Sequence, residues 1–362
     1  MKRLTLGDVC QKASSSIAQK DLQSSEGIYP IYGASGFIKY VDFYHQEQEY
    51  IAVVKDGAGI GRTMLLPAHS SVIGTMQYLL PLANAGIDIK YLYYAVIYMD
   101  LAKYFTGATI PHIYFKDYQK EPINIPEIQE QRKIARIFEK IDSLIDSHKK
   151  QLERLDCLVK SRFIEMFGDP VHNSKHLPIG KLGELGELDR GRSQHRPRNA
   201  PELLNGPYPL IQTGEVANAG LFITEYKNTY SELGLRQSKM WKAGTLCITI
   251  AANIAQTAIL TFDACFPDSV VGFMPKSNVN VIYLHYWFGF FQKILEEQAP
   301  QVAQKNINLK ILSTLDVMLP SCEQQDRFAV FVAQTDKSKL AIRKSLEKLE
   351  VLKKSLMQQY FG

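Results

Sequence analysis

No two cysteines in this 362-residue chain stand close enough to share a metal knuckle: Cys10, Cys157, Cys247, Cys265 and Cys322 are scattered, with no C-x-x-C spacing. That pattern argues against zinc ribbons and against a disulfide framework, and suits reduced thiols. Long apolar runs are missing too. No stretch reaches the length of a membrane span, and the opening Met1-Lys-Arg-Leu-Thr-Leu-Gly-Asp-Val-Cys10 lacks the apolar core of a signal peptide. The expectation is a soluble cytoplasmic protein. Charge of one sign is in short supply: 42 Lys and Arg against 37 Asp and Glu leave +5, so binding to an anionic polymer has to come from local patches.

Catalytic signatures are equally scarce. There is no Asn-Pro-Pro-aromatic tetrapeptide of the amino-methyltransferase kind and no acidic-plus-lysine nuclease core. The stretch Lys55-Asp-Gly-Ala-Gly-Ile-Gly61 does not fit G-x-G-x-x-G and no P-loop lysine follows, so it reads as a tight turn. His172 and His176 stand four apart with Asp169 nearby, but Pro170, Asn173, Ser174 and Pro178 make that segment a loop. Four-residue spacing gathers ligands only on a helix, so a surface pair is expected and no metal site. The chain is read as a non-enzyme with no cofactor of its own.

What is present is a duplication. Pro126 to Gly168 recurs as Pro320 to Gly362 at a constant offset of 194, without a gap, and the matches include Gln131/Gln325, Ala135/Ala329, Asp142/Asp336, Lys150/Lys344 and Leu155/Leu349. Each copy carries apolar residues in steps of three and four, from Ile134 to Met166 and from Phe328 to Tyr360, with no interrupting proline or glycine. That is the seam of a coiled coil, opened by a proline at each helix start. Roughly 40 helical residues make a rod of about 60 Å whose apolar stripe needs a partner, and the second copy is available.

The segments between the copies repeat as well. Tyr29-Pro-Ile and Tyr208-Pro-Leu open short β-branched and aromatic runs punctuated by Gly, Asp and Asn, which indicate strands with tight turns. Ala52 to Leu66 is matched at the same 194 offset by Leu246 to Leu260, and Tyr91-Leu-Tyr-Tyr94 is answered by Tyr283-Leu-His-Tyr286 at an offset of 192. The chain divides into α+β units at 1–125 and 169–319, alternating with helical spacers at 126–168 and 320–362. If each unit sits alike on the start of its own helix about a pseudo-two-fold axis, the helices run antiparallel as a coiled coil. Scaffold positions persist while loops differ in length and polarity, as in two readers of different ligands built on one fold.

This order of elements, with Pro126, Glu130 and Gln131 opening the first helix and Phe167-Gly-Asp169 closing it, resembles the specificity subunit of type I restriction-modification systems over essentially the whole chain. The resemblance implies two target recognition domains, each reading half of a bipartite, asymmetric double-stranded DNA sequence. It also implies recruitment of two methyltransferase subunits and of restriction (motor and nuclease) subunits, with S-adenosylmethionine and Mg-ATP bound on those partners. The second helix start departs from the pattern: Pro320-Ser-Cys-Glu-Gln-Gln325 moves the acidic residue to Glu323. A related system with a fused methylase-nuclease partner shares these features. A coiled-coil adaptor binding protein or glycan is the more distant alternative.

DNA-contacting candidates follow from residue chemistry. Arg190, Arg192, Arg196 and Arg198 recur in LDRGRSQHRPRN with Gln194 among them; arginine suits phosphate and guanine, and Gln or Asn suits adenine. Gln212, Thr213, Asn253, Gln256, Lys305 and Asn306 are further candidates in the second unit. In the first unit the corresponding loop is rich in Ser and Gln, leaving Lys20, Lys55, Arg62, His112, Tyr114 and Lys116. A rod of about 60 Å spans somewhat under two turns of B-DNA at about 34 Å per turn.

Overall fold

The computed structural model describes residues 2–23, 25–107, 111–251, 254–298 and 307–362, with backbone alone over 292–298. It forms two compact units, one comprising Met1–Lys150 with Ile342–Gly362 and the other Gln151–Ala341.

In the first unit, β1 (Lys2–Thr5), β2 (Cys10–Ser14), β3 (Tyr29–Gly33), β4 (Gly36–Val41), β5 (Tyr50–Val54), β6 (Thr63–Leu66), β7 (Ser71–Val72), β8 (Met76–Pro81) and β9 (Pro122–Ile125) follow in order. They build sheets β2-β8-β5-β6, β4-β3-β7 and a pair β1-β9. The glycine-rich stretch is the turn joining β5 to β6: Gly57, Gly59 and Gly61 have φ near +80°. A Cβ on Gly61 would lie 2.5 Å from the Ala102 nitrogen, so only glycine closes this turn against its neighbour.

The second unit repeats that plan with β10 (Ile179–Lys181), β11 (Gly186–Arg190), β12 (Leu204–Leu210), β13 (Phe222–Ile223), β14 (Asn228–Tyr230), β15 (Met240–Trp241), β16 (Leu246–Thr249), β17 (Thr257–Leu260), β18 (Ala264–Cys265), β19 (Val270–Pro275) and β20 (Asp316–Met318). Its sheets are β11-β19-β16-β17-β13, β14-β12-β18-β15 and the pair β10-β20. β12 pairs antiparallel with β14 and parallel with β18, as β3 does with β4 and β7. The expected mixed α and β class with an internal repeat holds.

Two helices of 40 residues each, Ile128–Phe167 and Cys322–Phe361, carry the duplicated segment. In the first unit, Phe138 packs against Tyr360 and Phe361, Asp142 meets Lys353 at 2.5 Å, and His148 meets Ser345 at 2.9 Å. Numbers rise on one helix as they fall on the other, which is antiparallel packing. The second unit behaves alike: Asp156 contacts Lys339 at 2.6 Å, Arg162 lies over the Phe331 ring, and Phe163 and Phe167 enclose Phe328.

Each unit thus joins the beginning of one copy to the end of the other. Tyr91 packs on Phe361 while Tyr283 packs on Phe167, and their buried hydroxyls donate to the carbonyls of Asn124 and Met318. Phe138 in the first unit and Trp287 in the second join these aromatics in the apolar clusters that fix the helices to the sheets.

The duplicated glutamine has a structural task. Gln131 is fully buried; its amide donates to the carbonyls of Gly86 and Pro126, and its oxygen accepts from Asp88 N–H at 2.8 Å. Gln325 does the same with Asn278, Pro320 and the Asn280 N–H. Asp88 and Asn280 in turn cap the helices Ile89–Tyr98 and Val281–Gln298. One side chain therefore ties the start of a long helix to the start of the packing helix. Glu130 is not part of this clamp; its carboxylate meets Lys133 at 3.5 Å on the surface.

Candidate nucleic-acid interface

The arginine-rich segment leaves β11 and is pressed against the loop before β19. A Cβ at Gly191 would fall 2.3 Å from the Pro267 carbonyl oxygen, so glycine permits the close approach. Asp268, on that second loop, is the hub. Arg190 Nε donates to its backbone carbonyl, while its carboxylate takes Arg198 at 2.6 Å and Arg196 at 3.7 Å. Arg196 also donates to the carbonyls of Ser193 and His195. From the other side, Gln237 Oε1 accepts the backbone N–H groups of Gln194 and His195, and Ser238 donates to the Arg192 carbonyl.

The loop is therefore a built structure. Arg190, Arg196 and Arg198 are held around one aspartate, whereas Arg192 is exposed and has no ion pair within 4 Å among the described residues. Beside it, Lys239 pairs with Asp189 at 2.9 Å and lies 4.0 Å from the Trp241 ring centroid. The Lys239 ammonium helps hold the Asp189 carboxyl below its usual range against the opposing effect of burial, which is the largest single influence.

Arg198, Gln212 and Thr213, singled out in sequence, come together in one cleft of about 300 Å³. Ser193, Asn199, Asn228 and Ser269 join them there over an apolar floor that includes Leu204, Leu210 and Tyr230. Ser193 and Asn199 belong to the arginine-rich segment, whereas Asn228 on β14 and Ser269 on the loop before β19 were not singled out in sequence, because two loops and a strand far apart in the chain bring the four together. Gln194 is exposed on the arginine loop, outside the cleft lining. Gln256 sits in the β16–β17 turn, where its N–H and carbonyl bond to Thr249. Asn253, Lys305 and Asn306 lie outside the described residues.

In the first unit, Lys55, His112, Tyr114 and Lys116 converge. His112 Nδ1 bonds to Asp56, whose other oxygen is 3.8 Å from Lys55, and the His112 and Tyr114 rings are 4.1 Å apart. Lys116 lies 5.2 Å from the Tyr114 centroid. An exposed aromatic flanked by lysines offers a face for a base or sugar and charge for phosphate. Arg62 is separate, donating to the Ala34 carbonyl at 2.8 Å, and Lys20 is exposed on the short turn Gln19–Leu22. His172 bonds to Asp169 at 2.5 Å.

Residues 1–156 and 178–354 each match the model of the type I restriction modification DNA specificity domain. Among curated relatives, the type I restriction enzyme MjaVIII specificity subunit of Methanocaldococcus jannaschii is 25% identical, over 92% of this chain and 85% of its own. A putative type I restriction enzyme specificity subunit, S.HindORF215P of Haemophilus influenzae, is 21% identical over 94% and 91%. In fold, the chain resembles the crystal structure of a type I restriction-modification S subunit from M. genitalium, with TM-score 0.65, 17% identity and coverage of 100% and 96%. A second solved structure, reported for complex assembly and conformational transition of the type I R-M system, gives TM-score 0.60 at 14% identity over 99% and 97%. No described helix is long and apolar enough to cross a membrane.

Proposed function

Because the chain belongs to the type I restriction modification DNA specificity family, we propose that its two units read the two halves of a split, asymmetric duplex sequence. In this family the specificity subunit is the non-catalytic component, working with DNA and with modification and restriction subunits. The finer reading is that two methyltransferase subunits and the motor and nuclease subunits assemble on this chain and carry S-adenosylmethionine and Mg-ATP. One observation supports the two-reader reading above the others: equivalent positions of one scaffold carry different chemistry. The register that sets Leu210 opposite Asn228 sets Ile31 opposite Lys39, and Gln212 and Thr213 fall where the first unit has Gly33 and Ala34. Sheets and helix clamps repeat while the polar groups change, which is what reading two unlike sequences from one fold requires.

Exchanging residues 1–125 for those of a relative with another target tests this. The methylated genomic sequence is expected to change in one half only; an unchanged methylated sequence refutes the assignment. Arg192→Ala tests the electrostatic part. In complex with the methyltransferase, its log-log salt dependence of duplex binding should be shallower by about 1, with sequence preference kept. An unaltered slope would remove Arg192 from the phosphate contacts.

A further inference from the structure

We propose that the second unit's cleft receives one nucleobase lifted out of the stack, an inference that rests on the DNA-reading assignment. Ser193 is the starting observation. It is 6% exposed, lines the cleft, and its Oγ has no hydrogen-bond partner among the described residues. Buried hydroxyls are nearly always paired, so this one, closed off from solvent beside the cleft, is a polar group that a bound ligand can satisfy after a rotation of the Ser193 side chain.

The surrounding groups choose the ligand. Asn199, Gln212 and Asn228 each offer both a donor and an acceptor, the combination that base edges demand. The cation in the lining, Arg198, is already engaged by Asp268 at 2.6 Å, so the cleft favours a neutral heterocycle over a phosphate. Leu210 and Tyr230 supply an apolar floor for its face. A base within the duplex has neighbours about 3.4 Å above and below and can show a walled cleft only its edge. A base rotated outward can enter. The scaffold does not require these groups, since Gln212, Thr213 and Asn228 stand where the first unit has Gly33, Ala34 and Lys39.

The test titrates the full-length chain with each of the four deoxynucleosides, to about 10 mM, and with inorganic phosphate, followed by NMR. One nucleoside should bind saturably and in preference to the rest, and Ser193→Ala and Asn228→Leu should each weaken it about tenfold or more. Ser193→Ala should leave thermal stability unchanged or raised, since the orphan hydroxyl is removed. In complex with the methyltransferase, a mismatch at one position of the target should tighten duplex binding, and Asn228→Leu should abolish that gain. Saturable binding by no nucleoside, binding by phosphate alone, or equal binding by the variants overturns the cleft proposal. If preference for a split sequence survives that result, the DNA-reading assignment stands. If the preference itself is absent, that assignment falls instead.

Discussion

Gln325→Leu lowers the unfolding free energy of the full chain by about 2–4 kcal/mol, and Gln131→Leu does the same. Leucine approximates the volume, so the expected loss is not a cavity effect. It comes from the three groups left behind: the Asn280 N–H and the carbonyls of Asn278 and Pro320 in one unit, and the Asp88 N–H with the Gly86 and Pro126 carbonyls in the other. An orphaned buried polar group costs about 1–3 kcal/mol, and because most of these bonds are only part-buried, water reaches some of the groups and keeps the total well below three full costs. Glu130→Ala is the control. Its exposed contact with Lys133 is worth under about 0.5 kcal/mol. Urea unfolding midpoints measure all three. If both leucine variants lose less than about 1 kcal/mol, the glutamines do not clamp the helix starts.

The second large effect concerns Lys339, which is 6% exposed between the two long helices of its unit. Its ammonium meets Asp156 at 2.6 Å and Asp336 at 3.4 Å. Removing both carboxylates strands a buried cation, and the double variant Asp156→Ala, Asp336→Ala is expected to lose about 3 kcal/mol at neutral pH. Adding Lys339→Met should recover most of that loss, because methionine keeps the apolar stem and discards the charge. The same ammonium lies near His285, whose imidazole is pushed down to about 4, chiefly by desolvation and to a smaller degree by Lys339. A triple variant no more stable than the double would mean that packing, not charge, holds this position.

Much of the fold was legible beforehand, for a definite reason. A gapless offset of 194 and steps of three and four are properties of neighbours along the chain, so the long helices, their antiparallel mates and the repeated sheets could be read without coordinates. The glycine turn was legible on the same ground, since φ near +80° is a local requirement. The role of the repeated glutamines was only half legible: the offset marks Gln131 and Gln325, but apart from the nearby Pro126 and Pro320 carbonyls their partners lie more than 40 residues upstream.

Site chemistry was less accessible. Four arginines looked like four free cations. Asp268, about 70 residues further on, collects three of them through side-chain or backbone contacts and leaves Arg192 exposed. The cleft is a still longer-range product, because Ser193, Gln212, Asn228 and Ser269 meet only after β12, β14 and the loop before β19 come together.

From its residues alone, then, this chain specifies two copies of one architecture, their helical character and their membership, because periodicity and duplication are one-dimensional. Tertiary structure alone decides which charges are spent on internal partners, which hydroxyl is left without one, and which polar groups share a cavity. Those outcomes depend on distances of a few ångströms between segments far apart in sequence, and on burial that raises the strength of each pairing.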